Sequence, residues 1–144
     1  SPSNVVLGGG IYTRSIRIQN TAASTNTPFF EVSGSAGAVA GTAYITCSNG
    51  NNSQSLVYNL ALHYNDGGDS GAVVLAANGS VYPPSEGNPA LRNTMSIGVV
   101  TVTNKHTISV NTAGPNFVLG TTGVLVNVTL FLGASNVPLT VSRP

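Results

Sequence analysis

The clearest pattern in this chain is an alternation of apolar and polar residues with a period of two. Successive side chains of a β-strand point to opposite faces, so this period is typical of strands. In the segment 55–64 the apolar residues on one face are Leu56, Tyr58, Leu60, Leu62 and Tyr64. In the segment 123–132 they are Val124, Val126, Val128, Leu130 and Leu132. The opposite face of this second segment also carries Leu125 and Phe131, which predicts a strand covered on both sides.

Further segments rich in Val, Ile and Thr fit a pleated, half-buried surface. They are 11–19, 29–32, 42–47, 72–76, 97–103, 107–110 and 137–141. Turn-forming residues separate them, among them Asn49-Gly50 and Asn78-Gly79, and the latter predicts a tight hairpin between two short strands. No capped helical pattern is present. About eight to ten short strands predict an all-β fold, an antiparallel β-sandwich or jelly roll.

The length of 144 residues predicts one domain. No internal repeat or shift of composition indicates a second. Residues 1–10 end in Gly8-Gly9-Gly10 and are predicted to be a flexible lead-in from a preceding segment. Residues 11–144 are then expected to form a single β-sandwich head domain.

The charge content excludes several classes of function. Only 6% of the residues are charged, with five basic and four acidic side chains, against about 25% in a typical soluble domain. Binding to nucleic acid requires clustered Lys and Arg, and here the basic residues are scattered. No run of eighteen apolar residues predicts a membrane span. We therefore expect neither a nucleic-acid partner nor membrane insertion.

One short motif suggests catalysis. Gly68-Asp69-Ser70-Gly71 resembles the nucleophile motif of chymotrypsin-like serine proteases, whose serine needs a histidine base and an orienting aspartate. The sole upstream histidine is His63, seven residues before Ser70, and 69 preceding residues are too few for two barrels. A tight polar turn is the simpler interpretation, and a serine hydrolase at Ser70 is the least favoured function.

Other chemically active groups are sparse. Cys47 is the single cysteine and is predicted to be a buried core thiol. The loop 65–70 offers oxygen ligands for calcium but lacks the acidic spacing of an EF-hand. Glu31 and Glu86 are available as a glycosidase pair, with nothing but their presence to support it. We expect no enzyme activity, no metal and no cofactor.

Apolar residues on both faces of several strands predict an oligomer. With so few charges to solvate a surface, both faces are most easily buried when copies pack together, most simply as a trimer around an apolar axis. The residues that carry this expectation are Val99, Val100, Val102, Val118, Leu119 and Leu125.

The chain as a whole resembles the head domains of trimeric viral fibres, including the tips of phage tail fibres. The resemblance rests on the strands rich in Ser, Thr, Asn, Gly and Val, on the glycine-rich entry at Gly8-Gly9-Gly10 and on the final strand 137–141. It implies a location on the virion surface and attachment to a host-cell receptor, often a glycan, through loops at the exposed end. The alternatives are a capsid protrusion, a decoration protein or a bacterial adhesin domain.

Two loops are the candidate receptor-binding sites, because loops on rigid β scaffolds carry recognition. The connection 82–93 combines an aromatic residue with both signs of charge, at Tyr82, Glu86 and Arg92. The connection 65–70 adds Asn65, Asp66 and Asp69. Aromatic stacking together with planar polar groups is a common way to hold a sugar, so the first loop is the preferred candidate.

Overall fold

A computed structural model describes residues 3–6, 9–18, 25–49, 52–64, 71–81, 95–112, 124–135 and 138–144. The elements in these ranges are all strands. In chain order they are β1 (Ser3–Val6), β2 (Gly10–Ile18), β3 (Thr25–Ser33), β4 (Gly37–Asn49), β5 (Asn52–Tyr64), β6 (Gly71–Val81), β7 (Met95–Val102), β8 (Lys105–Thr112), β9 (Val124–Leu132) and β10 (Leu139–Ser142). Within these ranges no helix is long and apolar enough to cross a membrane.

The strands form two five-stranded sheets in which all neighbouring pairs are antiparallel. Sheet A has the order β1-β10-β3-β8-β7, and sheet B has the order β2-β9-β4-β5-β6. Each sheet buries one face against the other, as expected when alternating strands pack in two layers. The predicted all-β sandwich is therefore confirmed.

The core lies between the sheets and follows the predicted alternation. Leu56, Tyr58, Leu60, Leu62 and Tyr64 on β5 are all buried, as are Val126, Val128, Leu130 and Leu132 on β9. One departure is on β3, where the consecutive residues Phe29 and Phe30 are both fully buried. The register of β3 against β8 shifts between Pro28 and Phe30. This bulge explains how two adjacent phenyl rings both reach the core, since an extra residue locally breaks the alternation.

The hairpin predicted at Asn78-Gly79 is wrong. The strand β6 runs without interruption from Gly71 to Val81, and its pairing with β5 instead shifts register twice, with Asn78 opposite Val57 between the two shifts. The segment around Asn78-Gly79 therefore lies at β-bulges within one strand and not in a turn between two strands.

The turn predicted at Asn49-Gly50 agrees with the register. Asn49 pairs with Asn52, so β4 and β5 are connected through residues 50 and 51. Both strands are thirteen residues long and extend well beyond the predicted segments 42–47 and 55–64.

Part of the predicted lead-in forms a strand. Ser3–Val6 is β1 and pairs antiparallel with β10, from Ser3 opposite Ser142 to Val6 opposite Leu139. The division of the chain at residue 10 stays a prediction.

Candidate binding surface

Three large apolar side chains are exposed together on the outer face of sheet B. Ile11, Tyr44 and Phe131 are 66%, 44% and 37% exposed. Ile11 is directly opposite Phe131 across the β2–β9 pair. The rings of Tyr44 and Phe131 meet edge to face, with centroids 5.2 Å apart and an interplanar angle of 74°. We call these three residues the aromatic face.

A row of hydroxyl and amide groups crosses the same strands beside the aromatic face. Ser15, Asn127 and Thr46 are register partners on β2, β9 and β4. The hydroxyl of Ser15 donates to Oδ1 of Asn127, and Nδ2 of Asn127 donates to Oγ1 of Thr46 at 3.4 Å. We call these three residues the polar row. Its hydrogen bonds fix the amide plane of Asn127, which leaves oriented polar groups at the surface.

The outer face of sheet B carries no carboxylate within the described ranges. Glu31 is the one acidic side chain that the structure describes, and it belongs to sheet A, where Oε1 of Glu31 lies 3.8 Å from Nζ of Lys105. At 42% and 27% side-chain exposure of Lys105 and Glu31, this is a surface ion pair of small energetic weight. The proposed partner of Glu31, Glu86, lies outside the described residues, so the glycosidase pair stays untested.

A polar cluster in the core connects the two sheets. His106 on β8 is fully buried. Its Nε2 lies 2.9 Å from the carbonyl of His63 at the end of β5, and its Nδ1 lies 2.8 Å from Oγ1 of Thr101. Because a carbonyl accepts only, Nε2 carries the hydrogen and Nδ1 accepts from Thr101. The hydroxyl of Tyr64 in turn donates to the carbonyl of Val32 at 2.8 Å. We call Tyr64, Thr101 and His106 the inter-sheet cluster.

Burial governs the ionisation of this cluster. Desolvation lowers the pKa of His106, and the nearby charge of His63 lowers it further, while the hydrogen bond to the His63 carbonyl opposes the shift. Desolvation also raises the pKa of the Tyr64 hydroxyl. The rings of Tyr64 and His106 are in edge contact, with centroids 4.6 Å apart. Both side chains are therefore neutral near pH 7.

Two other chemically active side chains that the structure describes are Cys47 and His63. Cys47 is buried, which confirms the predicted core thiol. His63 is exposed on the outer face of sheet B. Within the described ranges, no three His, Cys, Asp or Glu residues are grouped so that they could hold a metal ion.

The sequence-predicted receptor-binding residues lie outside the described residues. They are Asn65, Asp66, Asp69, Tyr82, Glu86 and Arg92, and Ser70 is outside as well. The strand β6 lies between the two segments, since it begins at Gly71 and ends at Val81. At about 3.3 Å per residue the two ends of β6 are roughly 30 Å apart. The predicted connections 65–70 and 82–93 therefore adjoin opposite ends of one strand in the sequence.

The apolar residues that predicted an oligomer differ in exposure. Val100 and Val102 are exposed, at 54% and 61%, whereas Val99 packs partly against the core. Leu125 is half-buried on the outer face of sheet B. The remaining two, Val118 and Leu119, lie outside the described residues.

The aromatic face was not singled out from the sequence. One feature of the sequence could have indicated it: in 123–132, Phe131 lies on the face opposite to the regular apolar residues. The proximity of Tyr44 depends on the register of β4 against β9, in which Tyr44 is opposite Thr129 and hence diagonal to Phe131. No local pattern encodes that register.

Comparisons with known proteins give a likeness of fold alone. No family model matches the sequence, and no curated protein matches it. Among solved structures, the chain is similar to the tailspike protein of Acinetobacter baumannii phage AM24, with a TM-score of 0.51 and 8% sequence identity over 92% of this chain and 26% of that one. The tailspike protein of Acinetobacter phage vB_ApiP_P1 gives a TM-score of 0.49 and 12% identity over 93% of this chain and 22% of that one.

The chain therefore spans about a quarter of the length of the AM24 tailspike protein. It shares an all-β fold with a segment of that protein.

Proposed function

We propose that this chain is a non-enzymatic attachment domain at the surface of a phage virion, which binds a carbohydrate on the host cell. The observation that carries the proposal is the aromatic face beside the polar row on the outer face of sheet B. The likeness of fold to part of a phage tailspike protein supports it.

The two sets of groups match the two kinds of surface that a sugar presents. A pyranose ring has an apolar face of C–H groups, which packs against an aromatic ring such as Tyr44 or Phe131. Its hydroxyl groups exchange hydrogen bonds with amides and hydroxyls such as those of Asn127 and Thr46. The absence of carboxylates on this face, within the described residues, favours a neutral or acidic saccharide over a cationic ligand.

The predicted loop residues are proposed as further receptor contacts. Tyr82, Glu86 and Arg92 form one group, and Asn65, Asp66 and Asp69 form the other. An assembly of several copies, a trimer in the arrangement that the sequence favours, would present these surfaces repeatedly. Repetition raises the avidity for a polymeric glycan without any new contact.

A glycan array followed by titration with the best saccharide tests the proposal. Truncation of an aromatic contact commonly costs more than 1 kcal/mol, so we expect Tyr44→Ala to bind about tenfold more weakly, equivalent to about 1.4 kcal/mol. The matched control is Thr140→Ala, which changes an exposed residue of sheet A and should bind as wild type does. Arg92→Ala reports separately on the loop.

Three outcomes would contradict parts of the proposal. Equal affinity of wild type and Tyr44→Ala would exclude the aromatic face as the sugar site. A lower mass of Tyr44→Ala in sedimentation, with unchanged saccharide binding, would instead make this face a contact between copies. Peptidase or esterase activity of wild type that Ser70→Ala abolishes would show a serine hydrolase.

A further inference from the structure

The edges of the two sheets differ in how well they are protected. An edge strand presents unpaired N–H and C=O groups, which can pair with another chain unless the strand is short, charged, bulged or covered. The edges of the described sheets are β1 and β7 in sheet A and β2 and β6 in sheet B.

Three of these edge strands have a feature that hinders pairing with another chain. The strand β1 has only four residues. On β2, Nη2 of Arg143 donates to the carbonyl of Thr13 at 2.8 Å, and the strand itself contains Arg14 and Arg17. The strand β6 shifts register twice against β5, and bulges of this kind disturb the regular spacing of a strand's hydrogen-bonding groups.

Within the described residues, the fourth edge, β7, is neither short nor charged nor bulged. It is eight residues long, MSIGVVTV, with no charged residue and no proline. It pairs with β8 in unbroken register from Met95 opposite Thr112 to Val102 opposite Lys105. Two of its outward-facing side chains, Val100 and Val102, are 54% and 61% exposed. Every second residue of such a strand directs its backbone groups away from its one neighbour.

We propose that β7 pairs antiparallel with β7 of a second copy of this chain, so that sheet A continues across a twofold axis. A row of alternating backbone donors and acceptors is complementary to another extended backbone. The second copy is the fitting occupant because an uncharged strand can meet itself without opposing like charges. The same pairing of β2 with itself would bring arginines together.

The outward side chains of β7 also fit this arrangement. If the axis passes at Val100, that residue faces Val100 of the second copy, and Val102 faces Gly98 of the second copy. A Cβ added to Gly98 would meet nothing within 4 Å, so open space is present where the isopropyl group of Val102 would lie. Cross-strand pairs of this kind stabilise a sheet when their side chains pack together.

This contact is independent of the proposed carbohydrate binding and of a threefold assembly. A twofold contact doubles the mass of whatever unit it connects. Breaking it therefore halves the mass, whether wild type is a dimer or a pair of trimers.

Sedimentation equilibrium of wild type, Val100→Lys and Thr140→Lys tests the inference. In the twofold pairing the two ammonium groups introduced by Val100→Lys would face each other, and Val100 lies opposite the uncharged Thr107 in its own sheet. We expect a twofold lower mass with an unchanged circular dichroism spectrum. Thr140 is exposed on β10, which is paired on both sides, so the control should retain the wild-type mass.

The outcomes separate this inference from the expected trimer. A wild-type monomer or a single trimer, or an even-numbered assembly that Val100→Lys leaves intact, overturns the β7 contact. A dimer that becomes monomeric supports the β7 contact and excludes the trimer, whereas a sixfold assembly that becomes a trimer supports both. Hydrogen exchange of wild type gives a second test without any substitution, because uniformly fast exchange at alternate amides of β7 would also overturn the pairing.

Discussion

Removal of the Tyr64 hydroxyl measures how much one hydrogen bond between the sheets contributes to stability. Tyr64 is 2% exposed, and its hydroxyl donates to the carbonyl of Val32 at 2.8 Å. The substitution Tyr64→Phe keeps the ring and therefore its edge contact with His106. It removes the donor alone, so the change in free energy reports on the hydrogen bond rather than on a cavity.

The expected loss is about 1–2 kcal/mol. A typical intramolecular hydrogen bond contributes about 1 kcal/mol net, and a buried acceptor that loses a partner costs about 1–3 kcal/mol. Val32 is fully buried, so water does not replace the lost donor. The backbone pairing of Val32 in the sheet keeps the loss below the upper limit. For a domain of this size, the corresponding fall in Tm is about 3–6 °C.

Urea unfolding at one protein concentration is the assay, with Tyr44→Phe as the matched control. The hydroxyl of Tyr44 belongs to a side chain that is 44% exposed, so its removal should change stability by less than about 0.5 kcal/mol. We expect a lower midpoint for Tyr64→Phe at an unchanged m-value. The reasoning fails if both variants unfold at the wild-type midpoint.

Three further predictions concern the core. Burial lowers the pKa of His106 below its unfolded value of about 6.5, so in acid the unfolded chain binds more protons than the folded one. Urea midpoints should therefore be constant above about pH 7 and fall below about pH 6.5. The substitution His106→Gln should make that fall less steep. Gly41→Ala places a Cβ against the backbone carbonyl of Phe131 and should cost about 1–3 kcal/mol in a urea titration, whereas Thr140→Ala changes an exposed residue and should stay near wild type. Leu130→Ala, at a fully buried position, should lower the free energy of unfolding by about 2–5 kcal/mol, and a smaller loss would indicate that the core closes around the cavity.

The fold class followed from the sequence because alternation is a local property. Each of Leu56, Tyr58, Leu60 and Leu62 could be assigned to the buried face from its neighbours alone. The bulges could not be assigned in this way. Phe29 and Phe30 are both buried because of how β3 pairs with β8, and such pairing depends on residues about eighty positions away.

The same limit applies to the candidate surface. Ser15, Asn127 and Thr46 come from three strands that are far apart in the sequence, and they form one row only after the strand order β2-β9-β4 is set. The aromatic face has the same origin. The loop candidates, by contrast, could be proposed from the sequence because Tyr82, Glu86 and Arg92 are close in the chain. The sequence thus favoured sites within one loop over sites assembled across a sheet.

The low charge of the chain and the protection of its sheet edges are physically connected. Lysine on the edge strand is a common protection against pairing with other chains, but the single lysine, Lys105, lies in β8 between β3 and β7. The protection of β2 and β6 therefore falls to the Arg143 hydrogen bond and to the register shifts. Since Val100 is exposed and its register partner Thr107 is uncharged, a lysine at position 100 would provide the missing charge at little expected cost to the fold. The fold therefore does not require β7 to be uncharged, and an uncharged edge is what the proposed pairing of β7 with a second copy needs.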